Sequence, residues 1–329
     1  MHTNVILNPM LNKILNSIGG LNVLVVGDIM LDHYIIGDAT RISPEAPVPI
    51  VTVERESYTL GAAANVAMNA VSLGGNVELC GLIGNDHSGM RLQKNFSDRG
   101  IKFSERFIKN SVDTIIKTRI VARGQQLCRV DRERKKSMYA LNRSEDLSYI
   151  ESKIDLSDAL ILSDYNKGTF TDENVKRLIK CAHKSHKFVA IDPKPSNKIS
   201  FSGVNIMTPN KLEAAQLADL NDDSDHSIEE ICHKIHEKYS PKMLVITLSK
   251  DGMLLSTNGK IDRIIPTFAR EVYDVSGAGD TVVAALTLAL AAENNAYDSM
   301  HFANTAAGVV VGKRGTAIAL PEEILKFHG

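Results

Sequence analysis

Short apolar runs recur along the chain, and most are separated by segments with helical periodicity. Residues 21–27 are rich in Val and Leu and end at glycine, which is typical of a strand covered on both faces. Comparable runs occupy residues 77–83, 159–163, 188–191, 205–207 and 243–247. Strands that alternate with helices in this way predict an α/β fold with a doubly wound, mostly parallel sheet and helices on both faces.

Two segments interrupt this rhythm with patterns typical of antiparallel β-ribbons. Residues 33–55 contain three prolines, and residues 114–131 alternate apolar and polar positions around a turn near Gly124. Because no linker-like composition flanks either ribbon, we expect them to form a small lid on one domain. That single domain is predicted to span residues 21–329, after an amphipathic helical extension within residues 1–20.

Composition and charge favour small-molecule chemistry. The 329 residues are 43% hydrophobic, and the formal net charge of -1 gives no reason to expect a nucleic acid or an anionic membrane as partner. The most apolar helical run, residues 282–292, is shorter than the roughly 20 residues that cross a bilayer. The four cysteines form no C-x-x-C pair, which indicates reduced thiols in a cytosolic protein rather than a zinc site.

A glycine-rich motif, Ser-Gly-Ala-Gly-Asp-Thr at residues 276–281, directly precedes a long apolar helical run. Gly277, Ala278 and Gly279 leave backbone N–H groups accessible at a helix N-terminus, where an anion binds favourably. Phosphoryl transfer concentrates negative charge on the transferred group, and a carboxylate beside it can orient the attacking hydroxyl and accept its proton. Asp280 is therefore a candidate general base, with an ordinary acidic residue of a first helical turn as the alternative.

Two commoner phosphate-binding motifs do not fit the sequence. Val282 stands where a dinucleotide-binding fingerprint has its third glycine. Residues 308–314 have three rather than four residues between their glycines, and an arginine replaces the Ser or Thr of a P-loop.

A second helix start, at residues 208–213, puts Asn210 and Glu213 one turn apart on the same face. Because magnesium keeps several of its waters, this pair would suit Mg²⁺ bound through water. Capping of the helix is the alternative.

Candidate sugar ligands lie near the first strand and at another helix start. Asp28 directly follows that strand, where open α/β sheets bind ligands, and could accept two sugar hydroxyls. Asp32 could reach the same sugar or be only a turn residue. Gly61 and Asn65 begin a helix of small residues, which either lets a polyol approach the backbone or serves helix–sheet packing.

The second ribbon adds two cations. Lys117 and Arg119 occupy alternate positions and so share one face of the ribbon. Directed at the sugar, they would suit a substrate that already carries a phosphate, whereas a solvated ribbon is the alternative.

Taken together, residues 27–28, 61–65, 208–213 and 274–281 resemble the two signatures and the N-x-x-E motif of the ribokinase, or PfkB, carbohydrate kinase family. The resemblance implies ATP as co-substrate with Mg²⁺, Asp280 as the base and Gly277–Gly279 as an anion hole. It also implies that Asn210 and Glu213 bind magnesium and phosphate, that Asp28 and Asn65 bind the sugar, and that Arg41 belongs to the lid. Further nucleotide contacts are implied for Lys194, Thr247, Gly252 and Asn304.

Within that family, residues 27–32, 41–49, 162–165, 192–194 and 306–315 are similar to the kinases of heptose 7-phosphate. This implies phosphorylation of O1 of D-glycero-β-D-manno-heptose 7-phosphate, on the path to ADP-heptose for lipopolysaccharide core, in a bacterial cytosol. A kinase for another sugar, sugar phosphate or nucleoside remains open, as does a non-catalytic sugar-sensing module.

The resemblance carries two further expectations and one departure. Exposed ribbon edges and the family both imply a homodimer formed through the lid. In bifunctional relatives a nucleotidyltransferase domain follows the kinase, so a chain that ends at Gly329 is expected to lack adenylyl transfer. Leu60 replaces a glycine that is usual in the family, and we expect it to narrow the sugar pocket or tilt its loop.

Overall fold

The computed structural model describes residues 9–195, 199–220, 226–269, 272–313 and 315–327. Residues 1–8 of the predicted extension and residues 328–329 of the predicted domain lie outside the described residues. The strands are β1 (Asn22–Gly27), β2 (Ile29–Ile42), β3 (Pro49–Ala62), β4 (Asn76–Cys80), β5 (Ile83–Gly84), β6 (Lys102–Phe103), β7 (Ile108–Lys109), β8 (Ile115–Ala122), β9 (Gln125–Arg132), β10 (Ala159–Ser163), β11 (Phe188–Asp192), β12 (Ile206–Met207), β13 (Met243–Thr247), β14 (Met253–Thr257) and β15 (Lys260–Ile265). The α-helices are α1 (Pro9–Ile18), α2 (Ala63–Ser72), α3 (His87–Asp98), α4 (Ser144–Leu156), α5 (Asp172–Lys184), α6 (Lys211–Leu217), α7 (Ile228–Tyr239), α8 (Ala278–Ala291), α9 (Ala296–Val311) and α10 (Pro321–Lys326).

A nine-stranded sheet forms the centre of the molecule, in the order β15-β14-β13-β12-β11-β10-β1-β4-β6. Neighbouring strands from β6 to β13 pair in parallel, and β14 and β15 continue the sheet antiparallel. The predicted α/β fold with a mostly parallel central sheet is confirmed. The two antiparallel strands at the edge were not predicted from the sequence.

Strand β1 shows why the sheet is covered on both faces. Val23 and Val25 belong to one buried cluster, which also contains side chains of α1, α2, α8, α9 and α10. Leu24 and Val26 belong to a second cluster with side chains of α4, α5, α6 and α7. Because successive strand residues point to opposite faces, a continuous apolar run such as β1 requires a helical layer on each side.

The two predicted ribbons are present, and the structure joins them into one four-stranded sheet in the order β3-β2-β8-β9. Each ribbon is antiparallel, and β2 and β8 pair in parallel between them. Arg123 and Gly124 both have positive φ at the turn between β8 and β9, as a tight primed hairpin turn requires. Strand β2 begins at Ile29, directly after β1, so the lid sheet starts at the carboxyl end of the central sheet. No helix among the described residues is long and apolar enough to cross a membrane.

Candidate active site

Polar residues gather at one edge of the central sheet, where the parallel strands end. Asp28 follows β1, Tyr165 follows β10, Asp192 ends β11, and Asn210 follows β12. The N-terminus of α8 lies at the same place, since Asp280 in its first turn bonds to the side chain of Tyr165. Carboxyl ends of parallel strands are the usual ligand site of open α/β sheets.

Asp280 is held between two hydrogen-bond donors. The Tyr165 hydroxyl donates to its Oδ1 at 2.5 Å, and Asn65 Nδ2 donates to its Oδ2 at 2.5 Å. The residue is only 5% exposed, and this burial raises the pKa of its carboxyl to about 6, helped by the charge of Asp32. The two hydrogen bonds and Lys194 oppose that rise. Asp280 is thus mostly ionised at neutral pH and basic enough to accept a proton.

The glycines before Asp280 keep the helix start open. Gly277 has φ of +80°, and a Cβ there would come within 2.8 Å of Asn65 Nδ2, whereas a Cβ at Gly279 would meet nothing within 4 Å. The amides of Ala278 and Thr281 are bonded to local carbonyls. Among the described residues, no acceptor is bonded to the amides of Gly279 and Asp280, so both can serve an anion.

Asn210 and Glu213 form a capping box at the start of α6. Each accepts the other's backbone N–H at 2.9 Å, so the capping alternative is realised in the structure. The second oxygen of Glu213 forms an ion pair with Lys194. Burial opposes the charge of Lys194, but this ion pair outweighs it and raises the lysine's pKa. Thr247 lies beside Asn210 in a parallel bridge, so four of the predicted nucleotide contacts come together.

Of the other two predicted nucleotide contacts, Gly252 lies close to Thr247, because Thr247 pairs with Met253 and the Leu248 N–H donates to the Gly252 carbonyl, whereas Asn304 lies beside the segment that follows β15. Gly252 has φ of +96°, and a side chain there would overlap the carbonyl oxygen of Ile265. Asn304 donates from Nδ2 to the carbonyl of Pro266 at 2.7 Å. Both residues therefore help to fix this segment, and their contact with a nucleotide stays a prediction.

The expectation that Asp28 presents its oxygens to a sugar does not agree with its surroundings. The side chain is 1% exposed. Its Oδ2 accepts the backbone N–H groups of Tyr165 at 2.8 Å and Lys167 at 3.0 Å, and its Oδ1 accepts that of Thr169 at 3.1 Å. A buried carboxylate with three such donors has little capacity left for a sugar, and Asp28 instead orders the loop after β10.

Asp32 faces the candidate cleft more directly than Asp28 does. Arg119 Nη1 donates to Asp32 Oδ1 at 2.6 Å, and a Cβ at Gly61 would lie 2.7 Å from Asp32 Oδ2. The charge of Asp32 also contributes to the raised pKa of Asp280. The structure therefore brings together Asp32, Gly61, Arg119 and Asp280.

Of the two remaining lid residues, Lys117 lies near the polar cluster and Arg41 does not. Lys117 Nζ lies 3.3 Å from Asp131 Oδ2, and its pKa is lowered by burial and by the nearby charge of Lys167. Arg41 is exposed near the distal end of β2, nine residues beyond Asp32, which is roughly 30 Å at the rise of a strand. The structure does not bring Arg41 to the candidate site.

Leu60 does not line the sugar pocket, contrary to the expectation from the sequence. Its side chain is 1% exposed and belongs to the large core cluster, which also contains residues of α2 and its cross-strand partner Leu31. The neighbouring Gly61 faces Asp32 instead. Successive residues of a strand point to opposite sides, so the side chain of Leu60 lies in the core and not on the side from which Gly61 faces Asp32.

Two residues of the cluster were not selected as site residues from the sequence. Tyr165 bonds to Asp280, and Asp192 is buried, with its pKa raised well above the usual range by that burial and by the charges of Glu213 and Asp280. Both stand at the carboxyl ends of strands that follow β1 in the sheet, and this position could have identified them as site residues.

Comparison with known proteins gives consistent results. The model of the pfkB family carbohydrate kinase matches residues 21–323. The bifunctional protein HldE of Helicobacter pylori strain J99 is 43% identical over 302 residues, which are 92% of this chain and 65% of that protein. HldE of Helicobacter hepaticus is 40% identical over 305 residues, 93% of this chain and 63% of that protein. The chain thus spans about 65% of the length of the curated relatives that it matches.

Solved structures share the fold at low sequence identity. Arabidopsis thaliana ribokinase, complexed with ribose and ATP, superposes with a TM-score of 0.73 at 18% identity, covering 94% of this chain and 98% of that chain. Escherichia coli phosphofructokinase-2, in complex with potassium, gives a TM-score of 0.72 at 18% identity, with the same coverage of 94% and 98%. These structures support the architecture of the chain.

Proposed function

Because the chain belongs to the pfkB family of carbohydrate kinases, we propose that it transfers the γ-phosphoryl group of ATP to O1 of D-glycero-β-D-manno-heptose 7-phosphate in the bacterial cytoplasm. Membership of the family makes the chain a phosphotransferase with an alcohol group as acceptor and ATP as co-substrate. Its identity of 40–43% to HldE proteins supports a heptose phosphate as the acceptor. The product would be the 1,7-bisphosphate on the path to ADP-heptose.

The environment of Asp280 carries the proposal for the chemistry. The sugar hydroxyl gives its proton to Asp280 while its oxygen bonds to the γ-phosphorus and ADP leaves. The amides of Gly279 and Asp280, to which no described acceptor is bonded, stabilise the negative charge of the transferred group. A carboxyl with a pKa of about 6 is ionised at neutral pH and can still accept a proton in the transition state.

For the nucleotide, we propose the cluster of Lys194, Asn210, Glu213 and Thr247. Mg²⁺ binds through few carboxylates, keeps several waters and uses substrate phosphates as ligands. No three His, Cys, Asp or Glu residues among those the structure describes form a direct metal cage, and Glu213 is engaged with Lys194. Asn210 and Glu213 therefore fit Mg²⁺ through water, which when bound would neutralise charge on the phosphates of ATP.

For the sugar, we propose Asp32, Gly61 and Asn65 near the reacting hydroxyl, with Lys117 and Arg119 toward the phosphate that the substrate already carries. The guanidinium of Arg119 lies in this region, because its Nη1 is 2.6 Å from Asp32 Oδ1. Lys117 follows on the same face of β8, two residues away. Two cations on one face match a dianionic group.

A homodimer through the lid is also proposed. Strands β3 and β9 are the two edges of the lid sheet, and exposed strand edges pair readily with other strands. Several apolar lid side chains are exposed, namely Val48, Val53, Leu127 and Val130. Sedimentation velocity at micromolar concentration should give a dimer, and a purely monomeric distribution would remove this part of the proposal.

An ADP-release assay with a substrate panel tests the acceptor. Heptose 7-phosphate should give a kcat/KM at least tenfold above that of ribose, fructose 6-phosphate or a nucleoside. A higher value for any of these would reassign the acceptor, and sugar binding without turnover would indicate a sensing module.

The base is tested by Asp280→Asn in the same assay. Because a general base contributes about 10²- to 10⁴-fold, kcat should fall by at least 10²-fold. Asp298→Asn, which changes an acidic residue in the first turn of α9, is the matched control and should retain full activity. Substantial ATP-dependent turnover by a folded Asp280→Asn protein would exclude Asp280 as the base.

A further inference from the structure

Tyr165 is fixed at three points around the proposed reaction centre. Its backbone N–H donates to Asp28 Oδ2 at 2.8 Å. Its ring centroid lies 5.4 Å from Lys194 Nζ, which is bonded to Glu213. Its hydroxyl donates to Asp280 Oδ1 at 2.5 Å. The side chain therefore connects the proposed nucleotide half of the cleft to the carboxylate of the proposed base.

We propose that Tyr165 is a positioning residue, whose hydroxyl holds the Asp280 carboxylate in place and favours its ionised form. This inference rests on the proposed function, in which Asp280 accepts the proton of the sugar hydroxyl. A carboxylate oxygen has two lone-pair sites, so Oδ1 can accept the sugar hydroxyl while it keeps its bond from Tyr165. Tyr165 itself neither loses nor gains a proton during transfer.

The hydroxyl of Tyr165 remains a donor throughout the working pH range. Burial raises the pKa of Tyr165 well above its usual value, and the charges of Asp280 and Asp192 raise it further. A group that stays protonated can only stabilise a neighbouring carboxylate by donating to it, and such a bond favours the charged form. The hydrogen bond from Tyr165 accordingly lowers the pKa of Asp280 against the effect of burial.

The other groups around Asp280 divide into opposing influences. Asn65 on α2 donates to Oδ2, and the ammonium of Lys194 also favours the ionised carboxylate. The charge of Asp32 on β2 favours the protonated form of Asp280, while the charge of Asp280 in turn raises the pKa of the buried Asp192. Tyr165 is the second of the two direct hydrogen-bond donors, so its removal leaves Oδ1 without a donor among the described residues.

The substitution Tyr165→Phe tests the inference because it removes the hydroxyl and keeps the ring beside Lys194. We expect the acidic midpoint of the kcat/KM profile for the sugar to move to higher pH by about one unit, the size expected for one lost hydrogen bond to a charged group. The KM for ATP should stay within twofold, because the ring contact is retained. Tyr139→Phe is the matched control: Tyr139 is buried, and its hydroxyl donates to the carbonyl of Asp113 rather than to Asp280.

A second readout does not depend on activity. The ¹³C resonance of the Asp280 carboxyl, identified by its loss in Asp280→Asn, should titrate about one unit higher in Tyr165→Phe. Replacement of Tyr165 by 3-fluorotyrosine keeps the ring and makes the hydroxyl a more acidic donor. It should move the titration of the Asp280 carboxyl to lower pH. An unmoved titration in both proteins, or an equal shift in Tyr139→Phe, would overturn the positioning role.

These outcomes separate the inference from the proposed function. Turnover by Asp280→Asn would remove the base assignment, while the carboxyl titration would still report whether Tyr165 acts on Asp280. A dead Asp280→Asn protein together with an unshifted Tyr165→Phe protein would remove the inference alone.

Discussion

Asp28 and Asp280 are both buried carboxylates near the ends of the central strands, and their partners give them different chemistry. Asp28 accepts three backbone N–H groups of one loop, which satisfies it within the fold. Asp280 accepts two side-chain donors and lies beside amides that no described residue uses. A carboxylate with remaining lone pairs and an open neighbour can bind a substrate, whereas a satisfied one is structural.

Gly61 is the residue at which a single methyl group should affect sugar binding. A Cβ there would lie 2.7 Å from Asp32 Oδ2 and 3.1 Å from its Cγ, so Gly61→Ala must shift the Asp32 carboxylate, whose Oδ1 is bonded to Arg119. We expect the KM for the sugar to rise at least tenfold, since two proposed sugar contacts move together, while the KM for ATP stays unchanged. Steady-state kinetics with each substrate varied in turn measures both constants.

The control for this substitution is Gly19→Ala. A Cβ at Gly19 would approach nothing closer than 3.8 Å, so both KM values should match those of the unmodified protein. An unchanged sugar KM in Gly61→Ala would show that Asp32 and Arg119 do not contact the sugar.

At the scale of elements, the helix start of α8 and the root of the lid make the site. The buried run of α8 fixes the helix against the sheet, so Gly277 and Asp280 are positioned by core packing rather than by the cleft itself. Strand β2 leaves the end of β1 directly and carries Asp32 within its first four residues. Any movement of the lid therefore starts beside the proposed base.

The elements could be predicted from the sequence to the extent that they depend on local pattern. Continuous apolar runs indicate β1, β10, β11 and β13 because both faces of those strands are buried. The pairing of β2 with β8 joins segments more than 80 residues apart, and no local pattern specifies it. The edge strands β14 and β15 form a hairpin without a regular alternation of buried and exposed positions, and the sequence pattern does not predict it.

The parts of the site that a local motif determines could be predicted from the sequence. The parts that depend on the conformation of a loop could not. Glycines before Asp280 indicate a helix start that can bind an anion, and the structure has that helix start. The burial of Asp28 depends on the loop of residues 165–169 folding back over it, which its position after β1 does not reveal. Tyr165 was missed for the same reason, because its contact with Asp280 spans 115 residues.

The loop after β10 should lose stability when Asp28 is changed to Asn. An amide has only one acceptor oxygen, so at least one of the three backbone N–H groups loses its partner in a buried site. Because hydrogen bonds to charged groups contribute about 1.5–3 kcal/mol each, we expect the free energy of unfolding to fall by about 2–4 kcal/mol. Urea denaturation of the two proteins measures this difference.

Asp262→Asn serves as the control for Asp28→Asn, since Asp262 is exposed on β15 and its side chain accepts an exposed hydrogen bond from the hydroxyl of Thr257. It should leave the unfolding midpoint nearly unchanged. Full stability of Asp28→Asn together with a raised sugar KM would instead return Asp28 to the role of sugar ligand.

At the scale of the whole molecule, the site is a meeting point of remote segments. Asp32 and Asn65 come from the lid root and α2, Tyr165 and Lys194 follow β10 and β11, and Asp280 begins α8. Only the folded chain brings these charges together, so their interactions contribute to the global free energy of unfolding. The pKa of Asp280 therefore links the chemistry of the site to the stability of the protein.

This linkage predicts that the folded protein becomes less stable as pH rises through the titration of Asp280. The carboxyl has a pKa of about 6 in the folded chain against an ordinary value of 3.8. The folded state therefore binds the proton more tightly, and the resulting stabilisation is present below about pH 4 and lost as pH rises through about 6. The pKa difference corresponds to about 3 kcal/mol.

Comparison with Asp280→Asn isolates this contribution from the other titrating groups. Between pH 4 and pH 7, the unmodified protein should lose about 2.5 kcal/mol of unfolding free energy relative to Asp280→Asn, which is most of the full difference, because the amide cannot ionise. Urea denaturation at half-unit pH intervals measures the difference, and Asp262→Asn, which changes an exposed carboxyl on β15, is the control. If the difference in unfolding free energy between the unmodified protein and Asp280→Asn stayed constant with pH, the buried carboxyl would titrate at its ordinary pH. Its pKa would then not be raised by the fold, which would remove the basis for its proposed role as a base with an adjusted pKa.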